Sequence, residues 1–406
     1  MTAKIPVLRK SEIKRIILVG SNLHSWQGKG DEGIRKIIEE HGFVQLDPLN
    51  PAGRYHDIFF SSRIPDYKQG QFEKLVYNEK LVFETYFHNL NAISIEYFPF
   101  FNSYSGKEHL GRYHSRLLKN LEDIGESTLL DNVFNHVKEH GLTKGSDLAS
   151  LGKADPKYAS WKSSRKSGTA LGILWAMGKL AIVQRDKNFR KSYDLTTRYV
   201  KKELLEKKVY SEEERQIYRL KLKSKAFPVI SAGKISYTKQ GKLRTGKKLG
   251  FPVEKLSHKG ENNQRIPCLV KSEDEKGFIV PSNWKELEQM PIDDEMRGIG
   301  PLDPLIWDRD LLKYLFGYDY LWEVYKKLKD RIWGYYVYPL LYKGEFLGRL
   351  EAKVNKKSMI LEFFNFQKES HFEFDNKSEK AFRNLLDRWK KMLQADTIKC
   401  DDSLPK

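Results

Sequence analysis

At 406 residues and 47.6 kDa the chain exceeds one ordinary domain, and an aromatic content of 13% excludes an intrinsically disordered protein. No apolar run reaches the ~18 residues of a membrane span, since the best, starting at Leu171, is broken at Lys179, and two cysteines, Cys268 and Cys400, are too few for a disulfide framework or a cysteine-based zinc site. The 72 Lys and Arg against 54 Asp and Glu leave +18, which points to a polyanion as partner, while Lys4, Arg9, Lys10, Lys14 and Arg15 leave no room for a signal-peptide core, so a cytoplasmic, nucleoid-associated protein is expected.

In chain order, Ser11 reads as the N-cap of a helix carrying Ile13, Ile16 and Ile17, and Asp31 as the cap of a second with Ile34, Ile37 and Ile38 that Gly42 stops. Phe43 to Leu49 alternates as a strand ended near Pro48. Gln71 to Lys80 reads as helix and Val82 to His88 as strand, which makes 1–125 a winged-helix-like unit. In 126–202, helices are expected at Leu129 to Gly141, Thr143 to Leu151 and Lys166 to Lys179, followed by strands Leu180 to Gln184 and Ser192 to Leu195 around a basic turn with Arg185, Lys187 and Arg190. Three helices and a basic hairpin are the order of a winged helix. A third such unit is expected over 203–265, with a helix at Glu212 to Lys223 and a Lys-rich wing. Strands dominate 266–394, at Gly277 to Val280, Arg331 to Tyr342, Glu345 to Asn355 and Ser358 to Phe366, and suggest a small sheet or barrel. Residues 395–406 read as a loose tail. The fold class is therefore α+β: tandem winged-helix domains followed by a small β-rich, barrel-like domain.

Between Arg219 and Gly260 twelve Lys or Arg stand against the single acid Glu254, so this block alone carries +11. Such a density of cations suits either a surface that follows phosphates or a solvated loop. Lys239, Lys242, Lys247 and Lys248 are its central candidates for DNA contact, with Arg185, Lys187 and Arg190 in the other basic turn.

The sharpest chemical feature is Gln45 with Asp47. A two-residue step on an extended chain puts both side chains on one face, about 7 Å apart, where one water could touch both. The carboxylate can accept a proton from that water and the amide can orient it. A polar strand edge facing solvent would show the same spacing. Arg54, His56 and Arg63 follow nearby, and Glu84, Tyr86 and His88 alternate on the next strand as a second polar cluster. No acid and lysine one residue apart accompany this cluster on a convincing strand, which argues against a nuclease site. His136 and His140 stand four apart, a spacing better read as a solvent-facing helix than as a metal site.

The segments GFVQLDPLNPAGRYHDIFFSSR, FETYFHN, WKSSRKSGTALGILWAMGKLAIVQRDKNFRKSYDLT, PLDPLIWDRDLLKYLFGYDYLWEVY and GYYVYPLLYKGEFLGRLEAK follow one another in an order that resembles the bacterial winged-helix DNA glycosylases of the AlkX (YcaQ) and AlkZ group. That family's catalytic motif is Gln, an apolar residue, then Gln or Asp; Gln45, Leu46 and Asp47 match it in the Asp form of the AlkX branch. Glu84-Thr85-Tyr86-Phe87-His88 keeps the spacing of the branch's Glu-Tyr-Trp-x-His with the aromatic order changed, and the Lys-rich stretch from Lys234 to Lys248 is longer than the family pattern. The resemblance implies an enzyme that excises N7-alkylated purines from duplex DNA, including the unhooking of interstrand crosslinks, within a concave cradle of winged helices; a monomer is expected. Alkylation at N7 makes the base cationic, so it leaves neutral and needs no general acid. Asp47 would deprotonate the water and Gln45 would position it, with no metal or cofactor and with Arg54, His56, Arg63, Glu84 and His88 near the lesion. The rival reading from another class is a non-catalytic winged-helix regulator.

Overall fold

The computed structural model describes residues 5–87, 89–101, 110–126, 128–148, 151, 166–207, 210–231, 235–237, 243–245 and 268–405. The chain forms two compact units, Met1–Phe72 with Gln216–Lys406, and Glu73–Arg215.

In the first unit, helix Lys10–Gly20 buries Ile13, Ile16, Ile17, Leu18 and Val19, the stripe that the isoleucine spacing predicts. Its cap is Arg9 rather than Ser11, with the Glu12 carboxylate accepting from the Arg9 amide at 2.6 Å. The next helix, Gly30–His41, starts after Lys29 instead of at Asp31 and ends on Gly42 at φ 84°. Only Gly takes that left-handed conformation without strain.

Beyond it, a small sheet orders Val7–Leu8, Cys268–Ser272, Gly277–Val280 and Ile230–Ser231. Strands from both sides of residue 265 therefore share one sheet, and Val270, Phe278 and Val280 pack in one core with the Lys10–Gly20 helix.

The C-terminal sheet is the other half of this unit. Its strands run Arg297–Gly298, Val337–Tyr342, Glu345–Asn355, Ile360–Lys368 and Thr397–Cys400, antiparallel except for the last pair. Register shifts at Leu340/Leu341 and Arg349/Glu351 add the local bend that bulges provide, and the sheet curls as a half-barrel. Helix Asn376–Leu393 supplies its core, with Trp389 packed edge-on to Tyr338 at 4.9 Å between ring centres. Two corrections follow. The β-rich segment contains an 18-residue helix, and the expected loose tail is instead an edge strand: Thr397–Cys400 pairs with Ile360–Phe363, Asp401 accepts from the Asn365 amide and Leu404 is buried. A short sequence gains order here because an unpaired sheet edge offers it hydrogen bonds.

The second unit holds the hairpin Val82–Tyr86 with Leu90–Ser94 and the helices Arg112–Asp123, Leu129–His140 and Lys166–Ala176. A sheet of order Thr143–Lys144, Lys191–Leu195, Leu180–Arg185 closes it. Val133, Val137, Ala170, Ile173 and Leu174 form its core. The helix expected over Thr143 to Leu151 is not formed: Thr143–Lys144 pairs as strand with Tyr193 and Ser192, and Lys144 donates its amide to Asp147 at 2.7 Å in the turn that follows. An Asp so placed competes with helical hydrogen bonding.

Candidate active site

The Gln45–Asp47 segment begins in strand Phe43–Gln45, whose residues are all buried. The hydrogen-bonded strand stops at Gln45, two residues before Asp47. Asp47 lies in the coil beyond, half-buried, and its carboxylate accepts from the Leu49 amide at 2.8 Å. This local turn, a habit of Asp followed by a Pro-containing segment, fixes the carboxylate.

The loop that follows is stapled to the curved sheet. Val354 donates its amide to the Pro51 carbonyl at 2.7 Å, and Gly53, at φ 91°, leaves room for Leu393, which a side chain there would press at 3.2 Å. Helix Tyr55–Ser61 then starts, capped by Asp57, which accepts from the Arg54 amide at 2.9 Å and from the Tyr67 hydroxyl at 3.0 Å.

Two electrostatic effects meet at Asp47: His56 acts on the carboxylate, and the carboxylate acts on Tyr336. Burial raises the Asp47 pKa, against the Leu49 amide and His56, which lower it. Tyr336 precedes strand Val337–Tyr342 and is fully buried; its hydroxyl has no hydrogen-bond partner among the described residues. Burial first, then Tyr338 and the Asp47 charge, hold its phenol well above the usual value. It stays a donor at neutral pH. The sequence did not single out Tyr336, because a Tyr in an alternating tyrosine-rich strand looks like any core aromatic.

The remaining candidates divide. Arg54 and His56 are buried in the same unit as Asp47, His56 beside Phe72 at 5.4 Å between rings. Arg63 is corrected from a DNA contact to a core residue: Nη1 pairs with Asp303 at 3.0 Å with both side chains fully buried, Nε donates to the Ser21 carbonyl, and the guanidinium stacks on Phe59. Its donors are spent inside the fold.

The same correction applies to Glu84 and Arg185, which form a buried pair in the second unit at 2.5 Å, joined by the Tyr77 hydroxyl. A carboxylate and guanidinium that satisfy each other leave neither for a lesion or a phosphate. Lys187 and Arg190, on the turn between the paired strands, are exposed. His88, Lys239, Lys242, Lys247 and Lys248 lie outside the described residues. At the start of the basic block, burial lowers the Lys223 pKa to about 8 and Lys225 donates to the Glu39 carbonyl at 2.8 Å.

A half-buried carboxylate whose charge reaches a buried phenol, in a strongly basic chain, suits water activation where burial disfavours free charge. The family model of the AlkZ-like DNA glycosylases matches residues 38–226 and 258–390, and so takes in Gln45, Asp47 and Tyr336. The chain belongs to the AlkZ-like DNA glycosylase family. The solved structure of Streptomyces sahachiroi DNA glycosylase AlkZ has the same fold, with a TM-score of 0.59 over 97% of this chain and 99% of that one, at 12% identity. AlkZ-like membership supports glycosylase activity on DNA and displaces the reading as a non-catalytic regulator. No helix among the described residues is long and apolar enough to cross a membrane.

The Tyr336 hydroxyl offers a direct check of this AlkZ-like site. The hydroxyl has no partner among the described residues, so a bond it gives during the reaction is made to bound substrate or water; at the lower limit of the about 1.5–3 kcal/mol of a hydrogen bond to a charged group, losing it in Tyr336→Phe lowers the single-turnover rate roughly tenfold. Thermal stability should hold or rise, since the substitution removes a buried hydroxyl that has no partner. An unchanged rate in rapid-quench assays would assign Tyr336 to packing alone.

Proposed function

We propose that this chain hydrolyses the N-glycosidic bond of N7-alkylated purines in duplex DNA, including purines joined in interstrand crosslinks. The observation that carries the reading is Asp47: a carboxylate at the Asp position of the family motif, half-buried, with its pKa raised by burial. Such a group is a better base than an exposed Asp. In the proposed step Asp47 takes a proton from water, whose oxygen bonds to C1′ of the deoxyribose. The C1′–N9 bond breaks, and its electron pair neutralises the positive purine. The leaving group is then a neutral base, so the mechanism calls on no general acid, metal or cofactor. Gln45, buried at the end of its strand, orients the water, and the Asp47 charge also steadies the cationic sugar of the transition state.

The second unit's helices, and its sheet order Thr143–Lys144, Lys191–Leu195, Leu180–Arg185, support reading it as a winged helix. Lys187 and Arg190 on its turn are then the phosphate contacts, in place of Arg185. The four lysines from Lys239 to Lys248 are proposed to add general affinity.

The deciding experiment compares duplexes that carry one N7-methylguanine or one uracil, scored for abasic product by alkaline cleavage. Release of N7-methylguanine with uracil untouched is the expected result. Comparable release of uracil would mean that the enzyme activates a neutral leaving group and would overturn the charge-based mechanism.

A further inference from the structure

Among the described residues outside the site, the loop between Glu323 and Tyr335 carries an unusual surface. Three large apolar side chains stand in water on it, Tyr325 at 87% exposure, Leu328 at 79% and Ile332 at 69%. Exposed apolar residues are ordinary when scattered, but a cluster on one short loop marks an interaction surface. Exposed Lys327 and Lys329 and half-buried Arg331 alternate with them.

The loop is held in shape from within. The buried Glu323 carboxylate accepts from the Ile332 amide at 2.9 Å, from the Trp333 amide at 2.7 Å and from Lys326 Nζ at 2.8 Å. Arg331 Nε donates to the Lys326 carbonyl at 3.0 Å, and its guanidinium covers the Tyr335 ring. The apolar tips are therefore presented on a braced turn, and little ordering entropy remains to oppose binding. The turn also runs straight into Tyr336, the buried phenol that the Asp47 charge reaches.

Protein interfaces are depleted in lysine at their cores, whereas cations interleaved with apolar side chains suit a polyanion with apolar base and sugar faces between its phosphates. We propose that the Glu323–Tyr335 loop is a DNA-docking wedge: Tyr325, Leu328 and Ile332 pack against bases or sugars beside the lesion, and Lys327 and Lys329 hold the flanking phosphates. The inference rests on the reading of the chain as an enzyme of duplex DNA and names the surface that positions the duplex over Asp47.

The test uses the full chain and a labelled duplex carrying one N7-methylguanine, with binding followed by anisotropy over a salt series. Tyr325→Ser, Leu328→Ser and Ile332→Ser combined should weaken binding by about 10- to 100-fold at every salt, with the slope of log K against log salt unchanged. Lys327→Ala with Lys329→Ala should instead flatten that slope by up to ~2 units. Melting temperatures should match the parent in both cases, since these side chains lie outside the core.

Wild-type affinity in the triple variant overturns the wedge. So does a triple variant whose only change is loss of self-association in sedimentation equilibrium, which would make the loop a contact between copies. Asp47→Asn assayed in parallel separates the two readings: its inactivity beside normal binding by the triple variant refutes the wedge alone, and wild-type excision by Asp47→Asn refutes the catalytic reading alone.

Discussion

Asp47→Asn lowers single-turnover release of N7-methylguanine by about 10²- to 10⁴-fold, the span expected when a positioned general base is lost, and leaves DNA affinity nearly unchanged. Asn keeps the size and the oxygen that accepts from the Leu49 amide, so the loop conformation survives and only charge and basicity go. Stability moves in the opposite direction from activity. Burial raises the Asp47 pKa in the folded protein, which means that ionising this carboxylate is harder in the fold than in the unfolded chain. Its charged form therefore opposes folding above the unfolded pKa, and that penalty disappears as the pH falls below it. Asp47→Asn should melt at or above the parent temperature at neutral pH. The same shift sets the acid limb of the wild-type rate profile: excision needs ionised Asp47, so the rate falls with decreasing pH at a higher pH than an ordinary Asp would give. Gln45→Ala should cost less, roughly 10- to 100-fold, because a misoriented water still meets an intact base. Wild-type excision by folded Asp47→Asn would remove Asp47 from the mechanism.

Glu84→Gln gives the second large effect, on stability instead of rate. It leaves Arg185 charged inside the second unit without its counter-charge, and breaking a buried pair from one side costs about 3–5 kcal/mol. The Tyr77 hydroxyl loses its carboxylate partner as well. Against the ~5–15 kcal/mol that holds a typical domain together, such a loss should appear in urea melts as a large drop in midpoint. Excision per folded molecule should stay near the parent value, because the pair is occupied with itself. Replacing both partners, Glu84→Leu with Arg185→Met, should recover most of the lost stability, since removing two matched charges together leaves neither unpaired. A double variant as unstable as Glu84→Gln would mean that packing around the pair, and not the unpaired guanidinium, governs this site. A lost rate in stable Glu84→Gln would return Glu84 to the catalytic candidates.

The α+β class, the isoleucine stripes of the first two helices, the Gly42 stop and the strands Gly277–Val280 and Glu345–Asn355 could be read from the sequence, because each is written in a local period or a local stop. So could the family and the glycosylase chemistry, through the motif order around Gln45 and Asp47. The fate of individual charges could not. Arg63, Glu84 and Arg185 look like any polar residue near a candidate site until Asp303, 240 positions on from Arg63, and Arg185, 101 positions on from Glu84, are brought against them. The edge strand Thr397–Cys400 exists only because Ile360–Phe363 offers it a row of hydrogen bonds, and Tyr336 is set apart from Tyr338 by the Asp47 charge that acts on it. Periodicity is a property of neighbours along the chain, so the sequence by itself determined these elements and the family motif. Pairing and desolvation are properties of neighbours in space, and only the tertiary structure decided which charged groups are consumed by the core and that the Asp47 carboxylate is half-buried with its pKa raised.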